Sequence, residues 1–160
     1  ALKTALSITK AIHADVGEAY IQVNIGQVLR DTGELSDAEK ALTAGLKFAR
    51  QSQERSLEAI CHSDLGILYI LQGRPERAIE AGLRTLQLHS ELGTSHSASA
   101  DYATLARASL MLGRGMEAQD YVYRSIALLD ESGGDGSDFP QRDYWNCAHV
   151  LKALGKHEDG

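Results

Sequence analysis

The histidines and cysteines are the residues of this chain best suited to metal binding or nucleophilic catalysis. The chain has two cysteines, Cys61 and Cys147, which lie far apart and lack C-x-x-C spacing. A cysteine nucleophile would also need a base within hydrogen-bonding distance. The six histidines form no H-E-x-x-H pattern, which places two zinc ligands on one helix face. They are His13, His62, His89, His96, His149 and His157. We therefore expect no metal site, no cofactor and no enzymatic activity.

The acidic stretch Asp130–Asp138, "DESGGDGSD", has a composition that could suit calcium. It lacks the D-x-[DN]-x-[DN]-G order and the closing Glu of a calcium-binding loop, and both are needed to surround the ion with oxygens. We expect a solvated linker here.

Composition excludes two further classes of function. The net charge is −6, whereas nucleic-acid binding needs a basic surface that displaces phosphate counterions. No apolar run is long enough to span a bilayer, and the first residues do not have the pattern of a signal peptide. Two cysteines without a disulfide framework suit a reducing compartment, so we expect a cytoplasmic protein.

A repeat of 40 residues organises the chain. "IGQVLRDTGELSDAE" begins at Ile25, "LGILYILQGRPERAI" at Leu65 and "LARASLMLGRGMEAQ" at Leu105. A fixed period of this size is the signature of a repeat architecture, in which each copy is one supersecondary unit.

The repeated units have the pattern of paired helices. Ile21, Ile25, Val28 and Leu29 recur at helical spacing, and strand patterns are lacking. Glycine typically follows a helix end, because it adopts the left-handed backbone conformation without a Cβ clash. The predicted helix ends are Gly33, Gly73, Gly113 and Gly155.

Helix starts are marked as well. Ser36–Glu39, "SDAE", has the pattern of a capping box, and Asp15 offers a second N-cap. Pro75 and Pro140 suit the first turn of a helix, where their missing N–H has no partner to lose. The predicted units are 1–13 (second helix of a preceding repeat), 15–53, 55–93, 95–133 and a truncated 138–160.

The stretch His62–Tyr69, "HSDLGILY", has the spacing aromatic-x-x-Leu-Gly-x-x-Tyr, with His62 in the aromatic position and Ala78 following in the next helix. This resembles the tetratricopeptide repeat, whose pattern is W-x₂-L-G-x₂-Y followed by a small Ala. The resemblance implies an all-α fold, a right-handed superhelix (solenoid) of antiparallel helix-turn-helix repeats. The period of about 40 rather than 34 and the missing Pro at the unit end depart from the family pattern. HEAT-like repeats are the alternative.

In this family the first helices line a concave groove, so the resemblance implies the site residues. An apolar middle (Ile67, Ile70, Leu71, Leu110, Met111) would be flanked by basic residues and would suit an amphipathic or acidic segment. Packing between units is the alternative role for these apolar residues. Val23, Gln27 and Ala100 stand where binders of chaperone tails carry Lys and Asn, so that activity is not expected. The implied groove comprises Tyr20, Asn24, Gln27, Arg30, Ser63, Ile67, Ile70, Leu71, Arg107, Leu110, Met111, Trp145, His149 and Lys152.

The first functional hypothesis is therefore a non-catalytic scaffold that binds a protein or peptide in the groove. The second is a regulatory or sensor module of a larger bacterial signalling or transcription-regulating protein. The third is self-assembly through the unfinished repeat ends, where Val150, Leu151 and Leu154 are expected to be exposed.

Overall fold

The structure, a computed structural model, describes the backbone of residues 2–134, 137 and 139–158, and the side chains of residues 14, 16–134, 137 and 139–155. Within these residues the fold is all-α. A short 3₁₀ helix at Ser95–Ser97 precedes the fifth α-helix. The α-helices are α1 (Leu2–Asp31), α2 (Leu35–Gln51), α3 (Arg55–Leu71), α4 (Pro75–Leu92), α5 (Ser99–Met111), α6 (Gly115–Ser132) and α7 (Pro140–Glu158).

The helices alternate between two roles. The first helices of the units are α1, α3, α5 and α7, and the second helices are α2, α4 and α6. Each second helix pairs with the first helix before it. Each second helix also packs against the next first helix, and neighbouring first helices contact one another along one side. The chain is therefore a solenoid of helix-turn-helix units, as the sequence predicts.

Glycines end the helices at regular intervals. Gly33, Gly73 and Gly113 have φ of 86°, 69° and 71°, which confirms three of the predicted helix ends. Gln53 has φ of 60° in the turn between α2 and α3, where the next two repeats have Gly93 and Gly133, although it carries a Cβ. The fourth prediction is wrong, because α7 continues through Gly155 to Glu158. A single helical Gly costs only about 1 kcal/mol, which does not by itself end a helix.

Two of the four predicted helix starts are confirmed. Pro75 and Pro140 are the first residues of α4 and α7. The start at Asp15 is wrong, because α1 runs unbroken from Leu2 and no Gly or Pro precedes Asp15 in it. The cap at Ser36 is also wrong. The turn after α1 closes with a hydrogen bond from Glu34 N–H to Leu29 O at 2.8 Å. Glu34 is then the N-cap residue and α2 begins at Leu35, so Ser36 lies inside the helix.

Small residues bring the helices close together in the core. A Cβ on Gly26 would lie 2.6 Å from Leu42 Cγ, so this glycine permits the close approach of α1 and α2. Ala38, Ala78 and Ala118 are fully buried, one in each second helix. The repeated alanines are thus core positions, as the repeat pattern predicts.

The predicted exposure at the C-terminal end is wrong for α7. Val150 is fully buried, and Leu151 and Leu154 are partly buried against the cluster formed with α5 and α6. Val150 is therefore covered by the preceding repeat, and Leu151 and Leu154 are covered in part.

Some predictions fall outside the described residues. They include residues 135, 136 and 138 of the acidic linker and residues 159–160 of the truncated fourth repeat. The side chains of residues 1–13 lie outside them too, and the division of the chain into repeats stays a prediction.

Candidate partner-binding groove

A cleft runs along the side where the first helices contact one another. Its larger part has a volume of about 950 Å³, and it extends from α1 across α3 and α5 to the start of α7. Its smaller part, about 240 Å³, lies between the C-terminal ends of α1 and α3, the middle of α5 and the start of α7. Both parts share Arg30, Asp31, Ile67, Ala100 and Arg142, so they form one continuous groove.

A buried polar network joins α1 to α3 at the wall of the groove. Arg30 Nη1 lies 2.6 Å from Asp64 Oδ1, and Gln27 Nε2 donates to Asp64 Oδ2 at 2.8 Å. Burial raises the pKa of Asp64, and the bonds from Gln27 and Arg30 oppose that shift. Because the positive charge of Arg30 is matched inside the protein, Arg30 contributes less positive potential to a ligand than the sequence implies.

Two more buried carboxylates line the groove, Asp101 in its larger part and Asp143 in its smaller part. His89 Nε2 lies 3.4 Å from Asp101 Oδ2, which ties α4 to α5. Ser137 Oγ donates to Asp143 Oδ2 at 2.6 Å, and Ser99 Oγ donates to the same atom at 3.5 Å. Burial raises the pKa of Asp143, and these bonds counteract the rise. Both carboxylates hold helices and a loop in place.

The smaller part combines exposed apolar side chains with three arginines, of which Arg30 is paired with Asp64. Leu71 and Trp145 are exposed there, Trp145 to 62%, and Arg107 lines the same part. Arg107 Nη1 donates to Asn146 Oδ1 at 3.3 Å, a neutral oxygen. Burial lowers the pKa of Arg107, which means that the surroundings favour its charged form less than water does. A carboxylate from outside would reverse that effect.

The structure brings about half of the predicted groove residues together. Gln27, Arg30, Ser63 and Ile67 line the larger part. Arg30, Ile67, Ile70, Leu71, Arg107 and Trp145 line the smaller part.

The other predicted residues line neither part of the groove. Tyr20 and Met111 are exposed outside it, as are Asn24, His149 and Lys152.

Two of the predicted groove residues serve mainly in the core. Ile70 is 6% exposed and packs within the core of the first two repeats, although it touches the edge of the smaller part. Leu110 packs against the cluster of α5, α6 and α7. These corrections have one cause. Helical periodicity identifies an apolar position, but the neighbouring helix decides whether that position is covered.

Several lining residues were missed by the sequence reasoning. Leu92, Thr94 and Ser97 come from the end of α4 and the connection to α5, and Ser137 and Phe139 come from the loop before α7. Asp101 and Asp143 gave a usable signal, since they occupy the position where earlier repeats have Ile21 and Cys61. An acidic residue in an apolar slot indicates a polar partner nearby.

Any metal or thiol chemistry depends on how the structure places the described histidines and cysteines. Among the described residues, no group of three or more His, Cys, Asp or Glu side chains could hold a metal ion. Burial raises the pKa of Cys61 to about 12 and raises that of Cys147 as well, so both stay protonated. No helix in the described part of the chain has the length and apolar character needed to cross a membrane.

Comparison with protein families agrees with this geometry. A family model described as tetratricopeptide repeat matches residues 17–91, which extend from within α1 to the end of α4. Residues 17–91 therefore belong to the tetratricopeptide repeat family. No curated protein matched the chain in a sequence search.

Tetratricopeptide repeats generally mediate protein–protein interaction, and the family is typically a non-catalytic scaffold. The hairpin geometry continues beyond the matched residues through α5, α6 and α7. The groove therefore extends over first helices inside and outside the matched region.

Proposed function

We propose that the groove binds a peptide or helix that presents an apolar face beside an acidic residue. The observation that carries the proposal is the environment of Arg107. This cation is half-buried among Ile67, Leu71 and Trp145, and the side chain it contacts there is the neutral Asn146.

The energetics favour an acidic partner residue. Folding already removes Arg107 from part of its water, and the lowered pKa of Arg107 reflects this loss of hydration. A carboxylate that docks beside it gains a charge-assisted hydrogen bond without desolvating that cation from bulk water. Arg142, at the border of both parts of the groove, adds a second positive charge.

The apolar part of the partner would contact Trp145. Tryptophan is enriched among residues whose truncation costs about 2 kcal/mol or more in binding. Its ring packs on His149 with centroids 5.3 Å apart, which restricts the rotamer of an otherwise exposed side chain. A restricted aromatic ring loses less conformational entropy when a ligand covers it.

The test first isolates a peptide segment that binds this chain. The affinity of that segment is then measured for the unmodified chain and for matched variants of it. Trp145→Ala and Arg107→Ala should each weaken binding by about 30-fold, which corresponds to roughly 2 kcal/mol. Leu110 is unsuitable for this purpose, because a polar residue there would disrupt the α5–α6–α7 core.

The controls are a comparably exposed aromatic and a charged residue away from the groove. The control variants are Tyr123→Ala and Arg124→Ala. Both residues are on α6, where Tyr123 is exposed and Arg124 pairs with Asp120. Neither should change the affinity. If Trp145→Ala and Arg107→Ala bind the segment as tightly as these controls do, the groove is not the binding site.

A further inference from the structure

The outer face of α1, defined as Ile21, Ile25 and Val28, is exposed although the same positions are buried in every other first helix. These three side chains are 53%, 43% and 63% exposed. All three lie on α1, the first helix that the structure describes. This face is separate from the groove, so its role does not depend on the proposed function.

The repeat itself identifies the equivalent positions. Moving 40 residues along the chain leads from the outer face of α1 to Cys61, Leu65 and Leu68 in α3. A second step of 40 residues leads to Asp101, Leu105 and Ala108 in α5. The next step is 42 residues, because the loop before α7 is two residues longer, and it leads to Asp143, Cys147 and Val150 in α7. All nine residues are at most 4% exposed.

A second helix covers these positions in each of the other three cases, because α2 packs on α3, α4 on α5 and α6 on α7. The contact between α4 and α5 is tight. A Cβ on Gly82 of α4 would lie 2.9 Å from the Leu105 side chain of α5. Leu105 is the equivalent of Ile25.

The charges beside the outer face indicate which kind of helix could pack on it. Arg50, in the last turn of α2, lies with its Nε 3.2 Å from Oε1 of Glu58 at the start of α3. The equivalent of Glu58 in α1 is Glu18, which lies beside the outer face and accepts a hydrogen bond from Gln22. A helix seated on α1 in the same manner would place its last turn near Glu18.

We propose that the outer face of α1 is a docking surface for an amphipathic partner helix with the chemistry of α2. Such a helix has small and aliphatic residues on the docking side and a basic residue in its last turn. It would continue the series of interfaces that α2, α4 and α6 make with the helices that come after them. Three exposed aliphatic side chains would then be covered as their equivalents are.

The experiment uses a synthetic peptide with the sequence of residues 35–52, labelled with a fluorophore and titrated with the full chain. Fluorescence anisotropy should show saturable binding. Ile25→Asp should weaken that binding at least tenfold and still fold, because Ile25 is exposed. Leu83→Asp, a matched change at an exposed position of α4, should leave the affinity unchanged.

A charge exchange tests the orientation of the peptide. A peptide with Arg50→Glu should bind the unmodified chain several-fold more weakly, and Glu18→Lys in the chain should restore its affinity. Absence of binding, or equal binding to Ile25→Asp, would overturn the proposal. A dimer in sedimentation that Ile25→Asp dissociates, together with no peptide binding, would assign the face to a second copy of the chain and would also overturn it.

Discussion

His62 allows the deepest test of how burial controls the charges of this protein. It occupies the aromatic position of the repeat pattern, and its side chain is 13% exposed. Arg50 from α2, Glu58 on α3 and Arg84 from α4 surround it, with Arg50 Nη2 3.2 Å from His62 Nε2. Burial and then Arg50 lower its pKa from 6.5 to about 4, although Glu58 acts in the opposite direction.

The direction of the pH effect depends on the sign of this shift. Between pH 6.5 and 4 the unfolded chain binds a proton at His62 that the folded chain does not, so acid favours unfolding. The contribution of His62 is fully present above pH 6.5 and is lost as the pH falls through this window. For these two pKa values the loss between pH 7 and pH 5 is about 2 kcal/mol of the free energy of unfolding.

The assay is urea unfolding at pH 7, 6 and 5, for the unmodified chain and for His62→Phe, which keeps a ring but cannot titrate. The unmodified chain should lose about 2 kcal/mol more than the variant over that range. Titration with NMR detection should place the imidazole pKa near 4, and Arg50→Gln should move it upward. Equal pH profiles for the two proteins, or an imidazole pKa of 6.5 or higher, would refute the reasoning.

Three further predictions concern the backbone, the core and the thiols. Gln53→Gly should raise the free energy of unfolding by about 1 kcal/mol in urea titrations, because it removes a Cβ from a left-handed residue; a loss of stability would contradict this. Gly26→Ala should lower the free energy of unfolding by about 1–3 kcal/mol, because the added Cβ would clash with Leu42. Gly17→Ala, which has open space around its Cβ, should raise the free energy of unfolding slightly. Equal effects of the two changes would argue against the close approach of α1 and α2. Cys61 should react with a thiol reagent at pH 8 only as fast as the chain unfolds; rapid labelling of the native protein would show that it is not buried.

The interior of the fold could be predicted because each feature depends on local residues. Pro75 and Pro140 begin helices, and Gly33, Gly73 and Gly113 end them, since these residue types restrict or extend the backbone conformations open to the chain. The two predicted helix starts that failed lie where another local feature of the chain opposes the cap. Asp15 and Ser36 can cap a helix, but an uninterrupted helix and an earlier turn determined the backbone there.

Only about half of the groove could be predicted, because its lining depends on distant parts of the chain. Arg30 was expected to present its charge to a partner, yet Asp64 of the next first helix lies 2.6 Å away. Ile70 and Leu110 were expected in the groove, yet neighbouring helices cover much of both. The loop residues Thr94 and Ser137 carry no periodic signal, so no spacing could place them beside the first helices.

The sequence by itself determined the repeat, the pairing of helices and the family, because a 40-residue period and the alternation of small and large residues are properties of the chain alone. The tertiary structure decided which apolar positions stay exposed. Ile21, Ile25 and Val28 have the same helical spacing as their buried counterparts, yet they are exposed because no second helix of the described chain packs on them. Exposure is a property of the neighbour as much as of the residue, and for that reason the outer face of α1 became visible only in three dimensions.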